Sequence, residues 1–162
     1  MEILTDHDLI ALDTCLWIYH LEDHPIYRQW TKPILQAVNS GQCRAVTSEI
    51  SLLEILVQPL KLGLEKVVDD YKYMLDNFPN MTLYPVTRDV TLQAATLRAK
   101  YKLRTPDALI LATGIVQGAS LMLTNDIQWK QVSEISVICL SDLSKDEPSD
   151  GNSDTVVGFR KN

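Results

Sequence analysis

Cysteine is scarce in this chain of 162 residues, and the three present form no pattern. Cys15, Cys43 and Cys139 are odd in number, widely spaced and without a Cys-x-x-Cys pair, so neither a disulfide framework nor a zinc cage is supported. His7, His20 and His24 gather near the N-terminus at no spacing that metal ligands require. Long apolar runs are missing too: no stretch approaches the roughly 20 residues of a membrane span. The opening, Met1 to Asp6, lacks both the basic and the apolar region of a secretory signal. Together these absences point to a reducing cytoplasm and away from a membrane. Basic residues are also in the minority, 15 Lys and Arg against 21 Asp and Glu, for a net charge of −6. Taken alone, that argues against nucleic acid, because affinity for phosphate backbones comes mainly from Lys and Arg. Acids gathered around divalent cations, however, lower the total without repelling a phosphate.

What is present is an ordinary globular balance, 46% apolar and 22% charged, at a length that suits one domain. Ser144 to Asp154 (SKDEPSDGNSD) has no large apolar side chain to offset its ordering entropy, so a domain over 1–143 followed by a flexible tail over 144–162 is expected. Within the domain, short apolar runs alternate with helical patterns. Leu9 to Leu12, Cys43 to Val46, Met81 to Val86, Ser120 to Thr124 and Ser136 to Leu140 read as strands. Ile26 to Ser40 reads as a helix that Pro33 kinks or opens. A further helix, capped by Thr47-Ser48, runs to about Val57 and ends at Pro59. Leu64 to Phe78 is amphipathic, and another helix runs from Arg88 to about Lys102 behind a Thr87 cap. Thr105-Pro106-Asp107 predicts a helix start with a hydroxyl cap, and the segment after it is apolar nearly all round, hence buried. Strands alternating with helices predict an α/β fold of three layers, α/β/α, around a mainly parallel sheet.

Four acids fall where such a fold places its chemistry. Asp13 closes the first strand and Asp126 follows the fourth, both toward the carboxyl edge where open parallel sheets bind ligands. Asp107 lies at a helix N-terminus, and Glu54 lies in the helix after the second strand. Each has a plainer role open to it. Asp13 can cap a helix starting near Thr14, Asp107 can serve the helix dipole and Asp126 can form a turn. Glu54 shares a helical stripe with Ser51 and Gln58 that can face solvent. Convergence of the acids would demand a cation, since carboxylates about 4 Å apart repel by roughly 4 kcal/mol at an effective dielectric near 20. Oxygen ligands without imidazole or thiolate select Mg2+ or Mn2+, and phosphodiester hydrolysis is the natural chemistry.

Read together, the segments LIALDTCL (Leu9 to Leu16), TSEISLLEIL (Thr47 to Leu56), RTPDALILA (Arg104 to Ala112) and LMLTND (Leu121 to Asp126) resemble, in order, the motifs of the PIN-domain nucleases, especially the VapC-type toxins. The resemblance covers about residues 8 to 142. It implies a metal-dependent ribonuclease whose catalytic and metal-holding acids are Asp13, Glu54, Asp107 and Asp126, with Thr14, Thr105 and Thr124 in support. It further implies Mg2+ or Mn2+ as cofactor, RNA as substrate, an antitoxin protein as partner and a homodimer. Two positions depart from the pattern: Cys15 stands where a small polar residue usually follows Asp-Thr, and Trp129 stands where phenylalanine is usual.

Arg98, Lys100, Lys102 and Arg104 form a basic run before the third motif, either serving a helix C-terminus or touching the RNA backbone. Trp17, Ile18, Tyr19 and Trp30 are core aromatics and aliphatics by the ordinary reading, whereas the resemblance implies that the first helices line an antitoxin groove. Two other classes compete with the nuclease. One is a non-catalytic PIN-like module that binds RNA or protein. The other is a phospho-acceptor fold of the receiver or haloacid-dehalogenase kind. The latter needs an acid pair or Asp-x-Asp on the first strand and a lysine near the site, but Thr14 and Cys15 follow Asp13 and no lysine ends the run Val137 to Leu140.

Overall fold

A computed structural model of the chain describes residues 2–143; the expected tail over 144–162 lies outside the described residues. Five strands form one sheet: β1 (Leu9–Leu12), β2 (Arg44–Ser48), β3 (Met81–Tyr84), β4 (Leu121–Thr124) and β5 (Ser136–Cys139). Their spatial order is β3-β2-β1-β4-β5, and every neighbouring pair is parallel. Seven helices connect or follow them: α1 (Thr14–Leu21), α2 (Arg28–Asn39), α3 (Glu49–Lys61), α4 (Glu65–Asn77), α5 (Arg88–Tyr101), α6 (Thr105–Val116) and α7 (Leu140–Leu143). Successive strand side chains point to opposite faces, and two cores result. Ile10, Leu12, Leu121 and Leu123 pack with Leu16 and Trp17 of α1, Ile34 and Val38 of α2 and Leu75 of α4. Ala11, Val46 and Met122 pack with Val90, Ala94 and Leu97 of α5 and Ala108 to Ala112 of α6. The three-layer α/β/α arrangement expected from the alternation is present, with a wholly parallel sheet.

Chain order along the sheet reverses between β1 and β4. The chain steps outward from β1 to β2 to β3, then returns to place β4 on the other side of β1. This is the switch point at which open α/β sheets form a crevice beyond the carboxyl ends of their strands. The register sets Leu12 beside Leu123, so the residues that follow, Asp13 and Thr124, meet at the mouth of that crevice.

Three local expectations are corrected. Pro59 does not end α3, which runs on to Lys61 with Pro59 buried inside it. The lost backbone donor costs one helix bond, and packing of the ring outweighs it in this final turn. Thr105 is not the cap of α6. It is an exposed first-turn residue, and Arg104 stands at the cap without a side-chain cap bond. Ser51 is fully buried and Glu54 half-buried, so of the stripe Ser51, Glu54 and Gln58 only Gln58 faces solvent.

Candidate active site

Asp13 is placed by two local devices. It is the N-cap of α1, its Oδ1 accepting from the Thr14 amide at 2.7 Å, and its Oδ2 accepts from the Thr124 hydroxyl at 2.6 Å. The capping role and a site role therefore coexist in one carboxylate. Burial pushes its pKa up to about 6, against the opposing hydrogen bonds from Thr124, Cys15 and the Thr14 amide. Among the described residues no cation pairs with Asp13. Cys15, two residues on, has its thiol pushed well above the usual thiol range, by burial first and then by the Asp13 charge.

Glu54 is half-buried on α3. Thr14 Oγ1 lies 2.5 Å from Glu54 Oε2 and 2.9 Å from Ser51 Oγ, so one hydroxyl ties α1 to α3 beside the first acid. Asp107 is buried in the first turn of α6. The Arg104 fork grips it, Nε to Oδ2 at 2.7 Å and an Nη to Oδ1 at 3.0 Å. Asp126 caps the 3-10 turn Ile127–Gln131, its Oδ1 accepting from the Gln128 amide at 2.9 Å, while its own amide donates to Thr124 Oγ1 at 3.0 Å. Thr124 thus connects two of the acids.

All four acids line one open cleft of about 660 Å³, together with Thr14, Cys15, Tyr19 and Arg104. Among the described residues no three His, Cys, Asp or Glu side chains stand close enough to cage an ion. The acids share a cleft without yet forming a cage, and Arg104 occupies one of them.

Of the supporting threonines, Thr14 and Thr124 reach the acids and Thr105 is exposed outside the cleft lining. Of the basic run, only Arg104 lines the cleft. Lys100 is tied to Glu134 at 3.0 Å, and the Tyr101 hydroxyl bond, followed by that of Lys100, holds Glu134 down to about 2. Arg98 Nε donates to the Leu103 carbonyl beyond the end of α5, and Lys102 is exposed in a left-handed conformation. Trp17 is wholly buried, with its indole donating to Thr47 Oγ1 at 3.0 Å, and so lines no groove. Ile18 and Tyr19 do reach the cleft wall.

Ser51 and Asn125 were not foreseen. Asn125 bonds the Tyr19 hydroxyl and accepts from the Ser141 amide, bracing the loop after β4. Its position beside Asp126 was the available signal.

Residues 10–135 match the profile of the PIN domain. The chain belongs to the PIN-domain family. Solved structures share the PIN fold at low identity. A toxin–antitoxin complex from Klebsiella pneumoniae is 20% identical with a TM-score of 0.61, over 81% of this chain and 97% of that one. VapBC-1 from nontypeable Haemophilus influenzae is 17% identical with a TM-score of 0.61, over 82% and 98%. FitAcB from Neisseria gonorrhoeae is 20% identical with a TM-score of 0.58, over 82% and 98%. Among curated proteins none matches the chain. The crevice at the β1/β4 switch point carries Asp13, Glu54, Asp107 and Asp126. Among the described residues no helix is long and apolar enough to cross a membrane.

Proposed function

We propose that this PIN domain is a divalent-metal-dependent endoribonuclease, the toxin of a toxin–antitoxin pair. One observation carries the proposal: four carboxylates from chain-distant segments line a single cleft at the sheet's switch point. The donor set fits a hard divalent ion, being carboxylate oxygen throughout, with a buried Asp13 whose charge lacks a compensating cation among the described residues. Asp13, Glu54, Asp107 and Asp126 would hold Mg2+ or Mn2+, which when bound stabilises charge on a phosphate oxygen and lowers the pKa of a water.

The chain's own residues position and exclude. Thr124 and the Thr14 amide fix the Asp13 carboxylate, and the Thr14 hydroxyl fixes Glu54. Tyr19, Ile18, Val57 and Ile127 wall the cleft. Arg104 is the cation placed to meet a substrate phosphate, which its planar fork matches. Asp13→Asn should lower RNA cleavage by at least about a hundredfold, since each tenfold is about 1.4 kcal/mol of transition-state stabilisation. Undiminished cleavage by that variant, or by wild type in excess EDTA, overturns the assignment.

Partner surfaces belong to the same proposal. Leu53, Leu60, Leu62 and Leu64 are exposed along α3 and the turn into α4, an apolar strip that suits a protein partner. An antitoxin and a second copy of the chain are the partners proposed, in keeping with the complexes to which the fold is similar. A second reading has one observation in its favour: Asp107, one of the four acids, is engaged on both oxygens by Arg104. That arrangement suits a non-catalytic PIN module. Metal binding without cleavage of any RNA supplied would select it.

A further inference from the structure

Both Asp107 oxygens accept from one guanidinium, so the charge of this acid is already compensated from within the chain. The pair sits at the lip of the cleft, with the Arg104 side chain 77% exposed and the Asp107 side chain 12% exposed. Asp126 and Glu54 also act on the guanidinium through space. Arg104 is thus a cation bound to one of the acids and sharing the cleft with the other three. It is anchored through Asp107 while most of its side chain is exposed to solvent. Acids brought together without a cation repel one another, and Arg104 is the cation that pairs with one of them, Asp107.

We propose that Arg104 is a resident counter-ion competing with the divalent metal for Asp107, and that it must leave this carboxylate before the metal seat is complete. The proposal rests on the metal-site reading of the cleft. Because a guanidinium fork also fits phosphate oxygens, a substrate phosphate that draws Arg104 away releases Asp107 to the metal. Metal and phosphate backbone then bind with positive coupling, which by linkage runs equally in both directions.

The test is Mn2+ affinity by calorimetry on the full chain without nucleic acid, comparing wild type, Arg104→Gln, Lys102→Gln and Asp13→Asn. Arg104→Gln should tighten Mn2+ by about fivefold, the size expected for release of one exposed ion pair. Lys102→Gln removes an equal charge two residues away, outside the cleft lining, and should bind Mn2+ as wild type does. Unchanged affinity in Arg104→Gln overturns the competition, and so does equal tightening in Lys102→Gln, which would reduce the effect to net charge. A second readout follows the Arg104 Nε resonance, which should move as Mg2+ saturates the protein; an unmoved signal is equally fatal. Asp13→Asn separates the two levels. If it binds Mn2+ as tightly as wild type, the metal-site reading itself fails, whatever Arg104 does.

Discussion

Asp13 shows how a site residue sets itself against the fold that holds it. Its carboxyl titrates near 6 because burial disfavours the charge, whereas in an unfolded chain it titrates near 3.9. Between those values the folded state binds the proton that the unfolded chain has released, so stability falls as pH rises from about 4 to about 6. Above that window the whole penalty, about 3 kcal/mol from the shift, persists. Asp13→Asn should therefore raise the metal-free protein's stability by about 1–3 kcal/mol at pH 7.5 while cleavage is lost, and the gain should vanish near pH 4. Denaturant midpoints at the two pH values check both halves. Trp129, only 1% exposed, has an indole nitrogen without a partner among the described residues. Trp129→Phe drops the donor but also leaves part of the bicyclic ring's volume empty, so it should cost about 1–2 kcal/mol by chemical unfolding, the size of the cavity less the unpaired donor; a loss well above about 3 kcal/mol would mean that the donor has a partner. At this scale the sharing of one cleft by the four acids was legible, because motif order groups them. The grip of Arg104 on Asp107 was legible only as an i,i+3 spacing, which says nothing about whether a pair forms.

Among the elements, α6 is the one whose sequence and structure agree most fully. Its all-round apolar composition predicts burial, and it lies against the sheet, with Gly114 over Ala11. A Cβ at 114 would stand 2.7 Å from the Ala11 Cβ and 3.1 Å from Met122 Cε, closer than packed carbons tolerate. Gly114→Ala should cost about 1–3 kcal/mol by overpacking despite its better helix propensity; a stabilised variant would show that α6 can lift from the sheet. The segment from the end of α5 to the cap of α6 carries the test of the proposed RNA contact instead. Because Arg104 lines the cleft and Lys100 is tied to Glu134, Arg104→Ala should flatten the salt dependence of RNA binding by about 0.7 in the log–log slope, and Lys100→Ala should leave it unchanged. Equal slopes in wild type and Arg104→Ala would remove Arg104 from the phosphate path. Helix ends were the least legible feature. Pro59 reads locally as a stop, and only tertiary burial of its ring explains why α3 continues past it.

For the molecule as a whole, the layer order followed from strand–helix alternation, but the strand order did not. Nothing in the short apolar runs states that β4 returns to the side of β1 opposite β2, and that return is what assembles the cleft. Burial was legible only in aggregate: Trp17 and Leu60 look alike as apolar residues on helices, yet one is wholly enclosed and the other is 60% exposed. Exposed leucines on α3 and its turn also set a molecular-scale expectation. Leu60→Glu combined with Leu62→Glu should reduce the sedimenting mass from that of a dimer to that of a single chain, with circular dichroism unchanged. Wild type already sedimenting as one chain would exclude the homodimer.

The Thr124–Asp13 bond joins positions 111 residues apart, with a consequence for the order in which the molecule becomes competent. A chain emerging from the ribosome that has made Asp13 and Glu54 still lacks Asp107 of α6 and both the wall and the fourth acid supplied by β4 and the loop after it. Contacts of such sequence separation close late. The cleft therefore closes only once most of the chain has been made, and a fragment stopped before Leu121 lacks the β4 side of it however well its early helices fold.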